Sequence, residues 1–94
     1  MQVIWTSPAR SDLLEAFEYI IQDNPKAALS IVDHIETTVA HLAAHPKMGR
    51  AGRITGTYEL VIMPTPYIVT YRIKAKRVEI LAVIHASRKW PESV

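Results

Sequence analysis

The sequence predicts an α+β domain with an N-terminal strand, an antiparallel helical hairpin packed on one face, and a largely antiparallel sheet, in the order β-α-α-β-β-β. Three observations predict it. Two successive segments open on a polar residue followed by proline and carry apolar side chains at helical spacing. From Thr57 onward the apolar residues fall in short β-favouring runs broken by turn signals. The chain has 94 residues, the size of one domain with one modest core, and neither a repeat nor a linker divides it, so a single domain spans 1–94.

The elements follow in order. "QVIWT" (Gln2–Thr6) is short, apolar and β-favouring, hence a first strand. In "SPARSDLLEAFEYII", Ser7 is read as the helix cap and Pro8 sits in the first turn, where no donor is needed. Leu13, Leu14, Phe17, Ile20 and Ile21 are assigned to the apolar face. "QDNP" ends that helix, and Asn24 caps the next with Pro25 in its first turn. Ala28, Val32, Ile35, Val39 and Leu42 form its core stripe, and Ala27, Leu29 and Ile31 widen it. Pro46 closes the helical half.

"TYELVIM" (Thr57–Met63) is a strand, ended by "PTP". In "YIVTYRIK", Tyr67, Val69, Tyr71 and Ile73 share the core face, and Ile68, Thr70, Arg72 and Lys74 point to solvent or a ligand. Ala75–Lys76 reads as a tight turn, although it lacks the Gly or Asn that two-residue hairpins favour. "VEILAVIH" is apolar on nearly both faces and so belongs inside the sheet. The sheet face without helices is the candidate site.

Composition excludes several classes. There is no cysteine, so disulfides and thiolate metal sites are ruled out. No apolar run reaches a membrane span, and "MQVIWTSPAR" lacks the pattern of a signal peptide, so a soluble cytoplasmic protein is expected. "GRAG" and "RITG" lack the spacing and context of a phosphate loop, and no cofactor is called for. His41 and His45 have the i, i+4 spacing of a metal pair, but no Glu lies between them and no third ligand is close in sequence, so no metal is assigned. Net charge is +2, divided unevenly: residues 1–48 sum to −3 and residues 49–94 to +5. The C-terminal half therefore suits an anionic partner, either nucleic acid or an acidic protein segment.

The candidate residues lie in that half. Arg50 and Arg53 form a basic loop able to grip phosphate or carboxylate, or simply a solvated loop. His85, at the end of the last strand, has the chemistry of a general base, with Arg88 or Lys89 to stabilise charge on phosphorus. The plainer reading is a polar strand end. Trp5 and Trp90 can stack on bases or fill a core edge.

Four motifs then bear on identity: "HP-x-x-GR" after the second helix, "G-T-x-E-L" entering the second strand, "PY-x-x-x-YR", and the closing "V-I-H-A-x-R-x-W-P". In this order and at this length the chain resembles the RelE/ParE superfamily of bacterial type II toxin–antitoxin toxins, nearer the ParE-like branch. The resemblance implies a growth-inhibiting toxin neutralised by a cognate antitoxin in a hetero-oligomer, without a metal. ParE-like members inhibit DNA gyrase. RelE-like members cleave messenger RNA on the ribosome, and their nucleases carry an arginine where this chain has Ile68. They also tend to carry a catalytic tyrosine or histidine near the C-terminus, and no tyrosine follows Arg88. The resemblance therefore favours a toxin that acts by binding its target, with Arg50, Arg53, Arg72, Lys74, Arg88, Lys89 and Trp90 as the target- or antitoxin-binding residues. The alternatives are an endoribonuclease using His85 and Arg88, assisted by Arg50, Arg53 or Arg72, and a non-toxic interaction module whose sheet edge accepts a peptide.

Overall fold

The computed structural model describes residues 1–87. Strand β1 (Gln2–Trp5) leads into α1 (Ser7–Asp23) and α2 (Pro25–Ala40), which tightens into a 3-10 turn at His41–Ala43. Four strands follow: β2 (Arg50–Ala51), β3 (Tyr58–Val61), β4 (Tyr67–Lys74) and β5 (Arg77–His85). They form one sheet in the order β1-β5-β4-β3-β2. Only the β1–β5 pair is parallel. The expected order holds, with β2 as an addition: its two residues were read as loop because two residues carry no periodicity.

Capping explains the hairpin. Thr6, rather than Ser7, is the first cap. Its backbone is extended and its hydroxyl accepts from the Ala9 N–H at 3.3 Å. The same hydroxyl donates to the Ile80 carbonyl at 2.6 Å, so the start of α1 is tied to β5. Asn24 ends one helix and begins the next. Its N–H donates to the Ile20 carbonyl at 2.9 Å, and its side chain accepts from the Ala27 N–H at 3.1 Å.

Ala28, Ile35, Val39 and Leu42 are buried as the stripe requires. On α1 the buried residues are Ala9 and Ala16, with Leu13 and Ile20 packed beside them. Leu14 is 59% exposed and Ile21 39% exposed, against expectation. The stripe that faces the core is Ala9, Leu13, Ala16 and Ile20. Its small residues let the helix come close, whereas a reading weighted by side-chain size selects the wrong edge of the face. From the sheet, Leu60, Tyr67, Val69, Tyr71, Val78, Ile80 and Val83 complete the core.

A bulge interrupts the β4–β5 ladder. Thr70 pairs with Ala82 and Tyr71 with Ile80, so Leu81 has no residue opposite it. The face of β5 that meets the helices therefore changes parity, from Val78 and Ile80 to Val83. Ile68 and Thr70 do lie on the face away from the helices, but they are buried rather than open to solvent. Cross-strand partners Ala82 and Ile84 are buried with them, and grouping these apolar side chains removes area from water.

Beyond Trp5, β1 no longer accompanies β5. There the Asp12 carboxylate accepts from the Val83 N–H at 3.0 Å, in place of a strand. Burial raises the Asp12 pKa above its ordinary value, partly opposed by the Val83 bond, while nearby Glu15 raises it further. Asp12→Asn keeps an acceptor without the buried charge. It is expected to match or exceed the parent in stability at neutral pH. Asp12→Ala strands the Val83 N–H and is expected to lose about 1–3 kcal/mol. The sign follows from the raised pKa: the parent gains stability relative to Asp12→Asn as pH falls toward the unfolded-state value. Urea melts of the three proteins between pH 3 and 7 check the ordering and the trend.

Candidate target-binding face

The loop motifs converge on two residues: Tyr71, which the strand alternation placed in the core, and Glu59, which the sequence did not single out. Tyr71 is fully buried. Its hydroxyl donates to the Pro46 carbonyl at 2.8 Å and accepts from the Gly49 N–H at 2.9 Å. Its ring stacks on Tyr58 at 5.2 Å between centroids. A side chain at Gly49 would place Cβ 2.8 Å from the Tyr71 hydroxyl and 2.9 Å from the Glu59 carbonyl. Glycine is required there for close approach.

Glu59 is a buried carboxylate on the opposite face of β3. It accepts from Arg50 Nη2 at 3.2 Å and from the Arg53 N–H at 3.0 Å, with Arg53 Nε at 3.9 Å. The two arginines are therefore latched to the sheet, although each side chain remains 58% exposed. Thus "HP-x-x-GR", "G-T-x-E-L" and "PY-x-x-x-YR" meet in space as a clasp that fixes the basic loop. The signal in the sequence was the pairing of one acidic residue with two arginines across a loop, and linear spacing does not reveal it.

Register places Arg50, Arg72 and Lys74 on the face away from the helices. Arg50 pairs with Glu59, Glu59 with Thr70, and Arg72 and Lys74 follow Thr70 along β4. Arg72 Nε holds Glu79 at 2.6 Å. That hydrogen bond is the main cause of a lowered Glu79 pKa, with Arg72, Lys74 and Arg77 adding attraction. The helical hairpin, residues 7–40, sums to −4, and residues 49–87 sum to +4, so the uneven charge becomes a difference between layers.

His85 is elsewhere. It pairs with Tyr67 on the helix-facing side, its ring edge-on to Tyr67 at 5.3 Å. It lines a small cleft with Asp12, Glu15, Ala16, Tyr67 and Val83. The Ser87 N–H donates to His85 Nδ1 at 3.2 Å, and the Ser87 hydroxyl lies 2.8 Å from the same atom. In the neutral ring this places the proton on Nε2, with Nδ1 accepting from Ser87. From His85 to Glu79, the partner of Arg72, is six residues, about 20 Å along the strand. His85 and these arginines face opposite sides of the sheet, so one phosphate cannot touch both. Arg88, Lys89 and Trp90 lie outside the described residues. Trp5 is half-buried and packs against the core, as the core-edge reading expects. Among the described residues no group of three His, Cys, Asp or Glu is placed to hold a metal, and no helix is long and apolar enough to cross a membrane.

The model of the ParE toxin family of type II toxin–antitoxin systems (parDE) matches residues 3–90. The chain belongs to this family. Among relatives of this ParE-family toxin is "Putative toxin Y4kP" of Sinorhizobium fredii, 46% identical over 91 residues, which cover 97% of this chain and 94% of that one. "Toxin RelE2" of Caulobacter vibrioides is 37% identical over 87 residues, covering 93% and 97%. A solved structure titled "Chromosomal ParDE TA system from P. aeruginosa" superposes on the ParE-family fold with a TM-score of 0.85 at 27% identity, covering 93% of this chain and 97% of that chain.

Proposed function

We propose that this ParE-family toxin arrests growth by binding its target, DNA gyrase, without hydrolysing anything, and that a cognate antitoxin neutralises it. The observation that carries this reading is the separation of His85 from Arg50, Arg53 and Arg72. Hydrolysis of RNA by its own 2′-hydroxyl needs a base and a cation at the same phosphate. Among the described residues, His85 and the arginines that could assist it, Arg50, Arg53 and Arg72, lie on opposite faces, and Nδ1 of the histidine accepts from Ser87. The similarity to a structure titled as a ParDE system supports an antitoxin partner. A cleft between α2 and the β3–β4 turn, lined by Ile31, His34, Thr37, Pro64 and Thr65, offers that partner a seat. Leu29 and Met63, 67% and 70% exposed, add apolar surface for it.

Two assays test the reading. Purified toxin is expected to inhibit gyrase supercoiling, with His85→Ala close to the parent and Arg72→Glu impaired well beyond Lys26→Glu. Inhibition should weaken as salt rises, because exposed charges are screened beyond about 8 Å at physiological ionic strength. Primer extension on messenger RNA from cells making the toxin is expected to show no new ends. Codon-phased cleavage that disappears in His85→Ala would instead establish an endoribonuclease. Normal growth of cells making the chain alone would remove the toxin reading altogether.

A further inference from the structure

The tip of the β4–β5 hairpin breaks two local rules at once. Ala75 and Lys76 both have positive φ, 53° and 61°. This left-handed conformation disfavours residues with a Cβ and usually selects Asn-Gly. Directly below it Lys74 and Arg77 are cross-strand partners, like charges facing one another. A sequence chosen for stability alone would use neither arrangement. Departures of this kind collect where a ligand rewards them.

Four cations, Arg72, Lys74, Lys76 and Arg77, stand within six positions against Glu79, which Arg72 already engages. Lys74, Lys76 and Arg77 are all exposed. None of the large apolar side chains exposed among the described residues belongs to this tip. Protein interfaces need buried apolar or aromatic anchors at their centre, and residues 72–79 offer no aromatic at all. The same lack excludes stacking of unpaired bases. What remains is a row of cations suited to phosphates.

We propose that this hairpin tip is a sequence-independent contact for the phosphate backbone of a double-stranded nucleic acid, with Lys74, Lys76 and Arg77 as the contacting residues. It deepens the binding-face reading of Arg72 and Lys74 and rests on that reading for the orientation of the sheet. The contact acts by displacing counterions, so its signature is steep salt dependence.

The test is fluorescence anisotropy of the full chain with a labelled DNA duplex, an RNA duplex of the same sequence and a poly-glutamate chain, across a salt series. The parent is expected to bind at least one duplex. Lys74→Gln/Lys76→Gln/Arg77→Gln is expected to reduce the slope of log affinity against log salt by about 2 to 3. Arg10→Gln/Lys26→Gln, on the helical layer, is expected to leave it unchanged. The duplex that responds identifies DNA or RNA as the source of the phosphates. Thermal melts give a second readout: the triple variant should melt above the parent because the facing like charges are gone. Three outcomes would overturn the proposal: no duplex binding by the parent, equal slopes for the triple variant and the control, or binding to poly-glutamate alone, which would assign the tip to an acidic protein. Loss of growth arrest by the parent would count against the toxin reading and not against this one.

Discussion

Tyr71→Ala is expected to cost about 3–5 kcal/mol, the range for deleting a large buried aromatic. Domains of this kind have about 5–15 kcal/mol in total, so the variant will be marginal or unfolded. The ring fills the core, stacks on Tyr58 and holds Pro46 and Gly49 through its hydroxyl. Tyr71→Phe separates these contributions. It keeps the ring but strands the Pro46 carbonyl and the Gly49 N–H, and is expected to cost about 1–3 kcal/mol. Urea melts of the two variants give the comparison. Equal losses would mean that the hydroxyl, rather than the packing, dominates. Burial raises the Tyr71 pKa above 10.0, only partly countered by the Gly49 bond. Its contribution is therefore complete below pH 10 and declines as pH climbs through the folded-state value. Tyr71→Phe is expected to remove that component of alkaline unfolding.

The second large effect is asymmetric. Arg50→Ala leaves the Glu59 carboxylate buried with the Arg53 loop as its remaining support. It is expected to cost about 1–2 kcal/mol, less than loss of a partner from a fully buried pair, because Arg50 is 58% exposed and water screens its charge. Glu59→Gln should cost less. The amide oxygen still accepts from the Arg53 N–H, and Arg50, already more than half exposed, turns to water. In the Glu59→Gln background, Arg50→Ala should cost little. Denaturant melts of the four proteins in this cycle measure the coupling. Costs that simply add would mean that the ion pair does not hold the loop.

Much of the fold was written in local chemistry. Asn24 before Pro25 marks the hairpin, and the Ala28–Leu42 stripe marks the buried side of α2, because both rest on short-range rules. The Ala75–Lys76 turn was found from the β runs on either side, despite lacking the preferred residues. What failed was long-range. The bulge opposite Leu81 changes which β5 residues face the helices, and no local pattern announces it. Leu14 and Ile21 were placed inside because size outweighed Ala9 and Ala16. In the site, the concentration of cations was legible, but their separation from His85 was not. It depends on strand register and on which sheet face the hairpin covers, and both are set by pairing between distant segments. The clasp at Glu59 was hidden for the same reason, since only the pairing of β2 with β3 brings its carboxylate against Arg50 and Arg53.

The exposed margins of the sheet are all brief. β1 has four residues and β2 two, and the stretch of β5 left bare beyond Trp5 is met at Val83 by Asp12. Long open margins recruit further chains into aggregates. A protein poured into such aggregates would be present in quantity yet largely absent in effect, and its dose would no longer follow its synthesis. Among the described residues, so short a margin gives sheet-edge pairing between copies little to build on, and copies lost to such pairing would be few.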